Sequence, residues 1–260
     1  MVDPSNPKSI VAEANALLPD DIRIFDLVYV TRSFDSKRAC TARTYQYILN
    51  LEMLRPSDRH PDAANRSSWT FNEVEREKFN VILRKYIGTH NYHNFTKAMA
   101  ATNASANRYI TMIECSEPQE TEGIKFSRVT LKGQSFVLNQ IRKMIGFYSL
   151  LNLLFSFLID FTFSLAAAAC IYRDGVSVSV LEKLFSRIKV NLPIAPGLGL
   201  MLLKCHFDNY DFEKFQKESL AFTGCQAEVD KFKSEKIEPV ILRMDKEQNM
   251  YYLSFFFPLS

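Results

Sequence analysis

The sequence predicts an α+β fold on a mainly antiparallel sheet, and three observations lead there. RYITMIECSE and GIKFSRVTLKG are rich in β-branched and aromatic residues and are joined by a hairpin-like connection across Glu114 to Thr121. WTFNEVEREKFNVILRKYIG places Phe79, Ile82, Leu83 and Tyr86 at helical spacing. RPSDRHPDAANRSS, between Arg55 and Ser68, has two prolines and no apolar periodicity. It is read as a linker over 56–67, dividing a half over 1–55 from a half over 68–210, with a helical extension over 211–260. Helices are expected on one face of the sheet.

The chain has 260 residues, of which 47% are hydrophobic and 13% aromatic, so a substantial core is within reach. A net charge of +3 is too small to mark a nucleic-acid protein by itself, and local clustering has to decide. The five cysteines are odd in number and widely spaced, which reads as free thiols in a reducing compartment. MVDPSNPKSI has no apolar core, so no secretory signal is expected.

Ile10 to Leu18 reads as a short amphipathic helix ended by Pro19, and IRIFDLVYV alternates like a strand. TRSFDSKRACTARTYQYIL then carries Arg32, Lys37, Arg38 and Arg43 against the single acid Asp35, and closes in a β-favouring segment around Tyr45 and Tyr47. Thr70 and Glu73 have capping-box spacing at the start of the helix that runs to Gly88. FVLNQIRKMIG reads as a second helix. Phe147 to Ile171 is apolar enough to reach the length of a membrane span. A helix around Val178 to Phe185, a turn at PIAPGLGL, a strand at LMLLKCHF and helical character over Phe212 to Lys233 complete the chain.

Four blocks, FDSKRACTARTYQYIL, GTHNYHNFT, GQSFVLNQIRKMIG and APGLGL, occur in an order that resembles the eukaryotic branch of the TruA-type tRNA pseudouridine synthases. The resemblance runs from about Ala14 to Ile241, outside the apolar stretch. It implies two related ferredoxin-like halves with a basic RNA cleft between them, the N-terminal half incomplete. It further implies isomerisation of uridine to pseudouridine in tRNA without a cofactor, with mRNA and other structured RNAs as further substrates. The nucleus is the first expected location, ahead of cytoplasm and mitochondrion; no membrane is expected.

Within that resemblance Tyr45 matches the tyrosine that packs on the target base and takes part in proton removal, with Tyr47 as a competitor on the same strand face. Arg142 matches the arginine that pairs with the nucleophilic aspartate and keeps it ionised. From the residues alone, Tyr45 also reads as a core tyrosine and Arg142, beside Lys143, as part of a solvated helix face. Arg32, Lys37, Arg38, Arg43, His90, His93 and Lys143 are candidates for contacting RNA. His90 and His93 are spaced as metal ligands but have no third ligand nearby, so no metal site is expected. A structural role for this histidine block is slightly favoured.

Two departures qualify the implied activity. The family's nucleophile lies in an Arg-Thr-Asp-Lys-Gly-type block, and no such block occurs in the 260 residues. The chain as written is therefore expected to be inactive, with a non-catalytic RNA-binding protein as the alternative. Roughly 147–164 is surplus to the family pattern and is read first as translated intron sequence, ahead of an internal insertion or a membrane span, since a span there would split a sheet across a bilayer.

Overall fold

The computed structural model describes residues 6–56, 63–146, 168–175, 177–192, 194–210 and 220–247. The apolar stretch 147–164, and with it the membrane-anchor reading, lies outside them, as does the first part of the C-terminal extension. Among the described residues no helix is long and apolar enough to cross a membrane.

Among the described residues six strands form one antiparallel sheet. They are β1 (Ala42–Asn50), β2 (Gly88–Asn91), β3 (Asn107–Cys115), β4 (Gln119–Thr121), β5 (Ile124–Gly133) and β6 (Leu200–His206). The order is β2-β3-β5-β1-β6, with β4 paired to the start of β5. β1 is thus hydrogen-bonded between β5 and β6, so a strand that precedes the expected linker lies between two that follow it.

Alternation along β1 builds two cores, because successive side chains leave a strand on opposite faces. Tyr47 and Leu49 join Val129, Leu131, Ile110 and Ile113 in the larger cluster. Helix α3 (Glu73–Arg84) covers it with Phe79, Ile82 and Leu83, and α4 (Gln140–Ile145) adds Ile141, Met144 and Ile145. α5 (Ala168–Asp174) and α6 (Val180–Phe185) complete that layer. Ile48, on the opposite face, packs with Ile124 and Phe126 against Ile241 and Leu242.

The expectation of helices on one face is therefore corrected. A long C-terminal helix, α7 (Gln226–Phe232) continued through a π-turn at Lys233–Ile237 into α8 (Glu238–Glu247), brings Ile241 and Leu242 onto the second face. Arg128 of β5 fastens it through a two-pronged ion pair with Glu238, at 2.7 and 2.6 Å.

Two further expectations are corrected. IRIFDLVYV pairs with no strand: the Asn15 side chain takes both the Ile24 carbonyl (2.7 Å) and the Ile24 amide (2.9 Å), substituting for a ladder neighbour. Asn15 stands in the preceding helix, α1 (Pro7–Leu17). At α3 the cap is Asn72, which accepts from the Glu75 amide at 3.1 Å, rather than Thr70. Both spacings occur in the sequence, and asparagine is at least as strong an N-cap as threonine.

Candidate functional site

Arg43, Tyr45 and Tyr47 leave β1 on the larger-core face, from an inner strand of the sheet. Directly across on β5 stand Gly133, Leu131 and Val129. Gly133 has a definable reason: a Cβ there would lie 2.8 Å from the Phe136 ring and 3.0 Å from the Tyr109 carbonyl oxygen. With no side chain in the way, Phe136 folds back onto the sheet and meets the half-buried Tyr45 ring edge-on, 5.2 Å between centroids.

The turn that carries Phe136 also sets Arg142. Gln140 accepts the Val137 amide at 2.9 Å and Asn139 takes a left-handed conformation, φ 64°, so the turn closes tightly into α4. Leu138, at its tip, is 74% exposed. Arg142 Nε donates to the Ala195 carbonyl at 2.7 Å, and the Ala195 amide returns a bond to the Arg142 carbonyl at 3.0 Å. Nη1 makes a long contact with Asn139 Oδ1, 3.5 Å. None of the ion pairs among the described residues involves Arg142.

The segment after Ala195 is the seam between arginine and tyrosines. Tyr47, 2% exposed, donates its hydroxyl to the Pro196 carbonyl at 3.1 Å, and burial pushes its phenol far up. At Gly197 an added Cβ would sit 3.5 Å from Arg142 Cζ. At Gly199 it would sit 2.7 Å from the Ile48 carbonyl oxygen, and the Gly199 carbonyl accepts the Ile48 amide at 2.9 Å. The two glycines let backbone reach the strand on one side and the guanidinium on the other. Tyr47 is fully committed to this seam, which leaves Tyr45 as the partly open ring.

The basic candidates divide by position. Arg43 shares the Tyr45 face. Arg32, Lys37 and Arg38 lie exposed on the segment leading into β1, where Asp35 caps α2 (Ser36–Ala39) by accepting from the amides of Lys37 and Arg38 at 2.9 and 3.1 Å. His90 stacks on Phe185, centroids 4.1 Å apart, and its Nε2 meets the Ile87 carbonyl. His93 is 1% exposed and bonded through Nδ1 to Asn91; burial, then Lys189, holds it below the usual histidine range. Lys143, 8% exposed, donates to the carbonyls of Asn94 and Thr96, both at 3.3 Å. Burial, then Lys189, holds its ammonium below the usual range. Lys143 thus knits the GTHNYHNFT turn to α4, while His93 braces that turn from within.

Sequence reading did not reach a second cationic group. Lys132 and Lys204 flank Thr44 on the other face of β1, with His206 Nε2 2.8 Å from the Thr44 hydroxyl. They are far apart in sequence, and only strand register assembles them. Phe136 and Gly133 stood inside a recognised block, but no local signal tied one to the other.

Comparison with known proteins settles the kinship of this arrangement. A model of a tRNA pseudouridine synthase family matches residues 82–156. The pseudouridylate synthase 1 homologs of Mus musculus and Homo sapiens are each 35% identical over 245 residues, covering 92% of this chain and 52% and 51% of theirs. The chain belongs to the tRNA pseudouridine synthase family. The tRNA pseudouridine synthase 1 of Candida albicans is similar at 31% identity, over 72% of this chain and 28% of its own. This family member spans about half the length of the two mammalian relatives.

Proposed function

We propose that the chain supplies the tyrosine and arginine side of a site that isomerises uridine to pseudouridine in tRNA, with mRNA and other structured RNAs as further substrates. The observation that carries this reading is the seam at Ala195 to Gly199, which fixes Arg142 and Tyr47 to one backbone segment, with Tyr45 on the same face of β1. A base turned out of its helix needs a flat surface, and the Tyr45 ring, held edge-on by Phe136, offers one. Its phenol is then the group placed to handle the proton released when the new carbon bond forms.

Arg142 keeps donors beyond the one bound to Ala195, with no carboxylate paired to it among the described residues. A guanidinium so placed favours the ionised form of a nucleophilic aspartate. That aspartate comes from residues outside these 260, which hold no Arg-Thr-Asp-Lys-Gly block, and Asp35 is engaged as a helix cap. Arg43, with Arg32, Lys37 and Arg38 on the adjoining segment, neutralises phosphates, and His90 contacts RNA from the edge strand. His93 and Lys143 act from beneath by holding the turn. The family's two ferredoxin-like halves, with the cleft between them, and a nuclear location belong to the same reading. The reaction needs no cofactor.

The test uses the purified 260-residue chain and unmodified tRNA. Binding should weaken with salt, and Arg43→Ala should lower the slope of log affinity against log salt by about one. No pseudouridine should form with this chain alone, and its appearance would remove the external aspartate. Failure to bind tRNA would sink the whole reading. Binding without isomerisation, even when an Arg-Thr-Asp-Lys-Gly segment is joined upstream, would establish a non-catalytic RNA-binding protein instead.

A further inference from the structure

We propose that Cys40 and Cys205 are a redox-active thiol pair that closes to a disulfide by exchange with a small-molecule disulfide of the glutathione class. The inference stands on strand geometry and does not depend on the RNA reading.

Cys205 lies on β6 directly opposite Arg43 of β1. Cys40 precedes β1 by two residues, and its Sγ is folded forward along the chain to donate to the Ala42 carbonyl, 3.3 Å away. That carbonyl adjoins Arg43, so the Cys40 sulfur is brought towards the position that faces Cys205. The two thiols lie near enough to interact, and the Cys40 thiol adds to the burial that pushes Cys205 up. Both are free and partly exposed, whereas Cys115 and Cys225 are buried.

The junction they would tie is already held by weaker means. The Thr41 amide donates to the His206 carbonyl at 2.8 Å, and its hydroxyl donates to Asp208 at 3.1 Å. The Thr31 amide donates to the Tyr210 hydroxyl at 3.0 Å, and the Phe34 ring packs against Phe207 and Tyr210. A disulfide would add a reversible covalent tie to these contacts, holding the segment that presents Arg32, Lys37 and Arg38.

The exchange balances without any other oxidant. One protein thiolate attacks the disulfide of oxidised glutathione, breaking its S–S bond and releasing one glutathione thiolate. The second protein thiol loses its proton to solvent and attacks the protein sulfur of the mixed disulfide, releasing the second glutathione. Two electrons pass from the protein sulfurs to the small molecule. Burial, followed by the Cys40 thiol, pushes Cys205 up, while Arg43 acts the other way. Cys205 therefore suits the second step, where proximity compensates for a low thiolate fraction.

The experiment equilibrates the 260-residue chain in glutathione buffers from fully reduced to fully oxidised, then traps free thiols by alkylation at low pH. Non-reducing digestion should yield a peptide linking Cys40 to Cys205, formed reversibly with the buffer ratio. Cys40→Ser and Cys205→Ser should each abolish it, and Cys225→Ser should leave it. Amide exchange across Thr31 to Thr41 should slow in the oxidised wild type. Absence of the linked peptide at every ratio would overturn the proposal, as would separate glutathione adducts on the two cysteines. Because the wild-type chain gives the primary readout, a variant that fails to fold leaves the proposal open to refutation.

Discussion

A methyl group at Gly199 has nowhere to go: it would stand 2.7 Å from the Ile48 carbonyl oxygen and 3.3 Å from the Tyr47 ring, inside a backbone bond that joins the seam to β1. Gly199→Ala is expected to destabilise by about 1 to 3 kcal/mol, the usual cost of overpacking, read as a lower urea midpoint with unchanged slope. Arg142→Lys makes a complementary probe. Lysine has no Nε donor at that position and no planar fork, so binding of tRNA should survive while any isomerisation by the aspartate-restored protein falls at least tenfold. A matching loss of binding would recast Arg142 as a phosphate contact. These residues were unequally legible. Tyr45 and Arg142 became candidates through the order of four blocks, since by pattern alone each also reads as ordinary core or surface. The fit of Phe136 over Gly133 left no trace in the sequence, because it depends on a side chain returning across a strand.

At the scale of elements, α8 rests on the buried Arg128–Glu238 ion pair, an exposed one between Arg243 and Glu122 at 3.3 Å, and a small apolar patch. Glu238 is 4% exposed and its Arg128 partner 17%, so Glu238→Ala would leave a largely buried guanidinium without its counter-charge. A loss of about 3 kcal/mol is expected on urea unfolding, and a change under about 0.5 kcal/mol would show that the hydrogen bond to Gln119 and the Phe126 ring, 5.2 Å from the guanidinium, suffice for Arg128. Asp245 lies one turn beyond Ile241 on the same face of α8, and burial pushes its carboxyl up to about 7. The unfolded chain releases that proton near pH 4 and the folded chain near 7, so this group's contribution to stability falls as pH rises between them. Asp245→Asn should therefore be close to neutral at about pH 4 and stabilising at about pH 8. Equal effects at both would exclude burial as the cause. Helix α3 and the hairpin strands could be read from periodicity and composition. α8 as the cover of a second sheet face could not, because its partners Ile48, Ile124 and Phe126 belong to strands whose other face already had a core.

Across the whole molecule, the position of β1 ties early and late sequence together. Neither ladder flanking it can open without losing the other's support, so the described residues should unfold in one transition. The single tryptophan, Trp69, packs against the larger core and under the Arg55 guanidinium at 5.7 Å, which makes it a reporter of that core. Far-ultraviolet dichroism reports the secondary structure of both faces. The two denaturation curves should superimpose, and separated midpoints would mean that the two faces unfold independently. Length and composition indicated a core of this size. They did not indicate that the strand before the linker would sit between two later strands, since strand order is set by long-range pairing that local pattern does not encode.

The division of labour along β1 also constrains how the chain can change. Odd positions from Arg43 to Leu49 serve the site and the larger core, while even positions meet the lysines, His206 and α8. Inserting or deleting one residue would exchange the two sets, turning Tyr45 towards the helix and Ile48 towards the site. The register irregularity towards β6 between Thr44 and Tyr45 places its extra residue, Leu203, on β6, while β1 pairs without a break to β5. Between Ala42 and Asn50, substitution is a matter of degree and a change of length is a matter of parity.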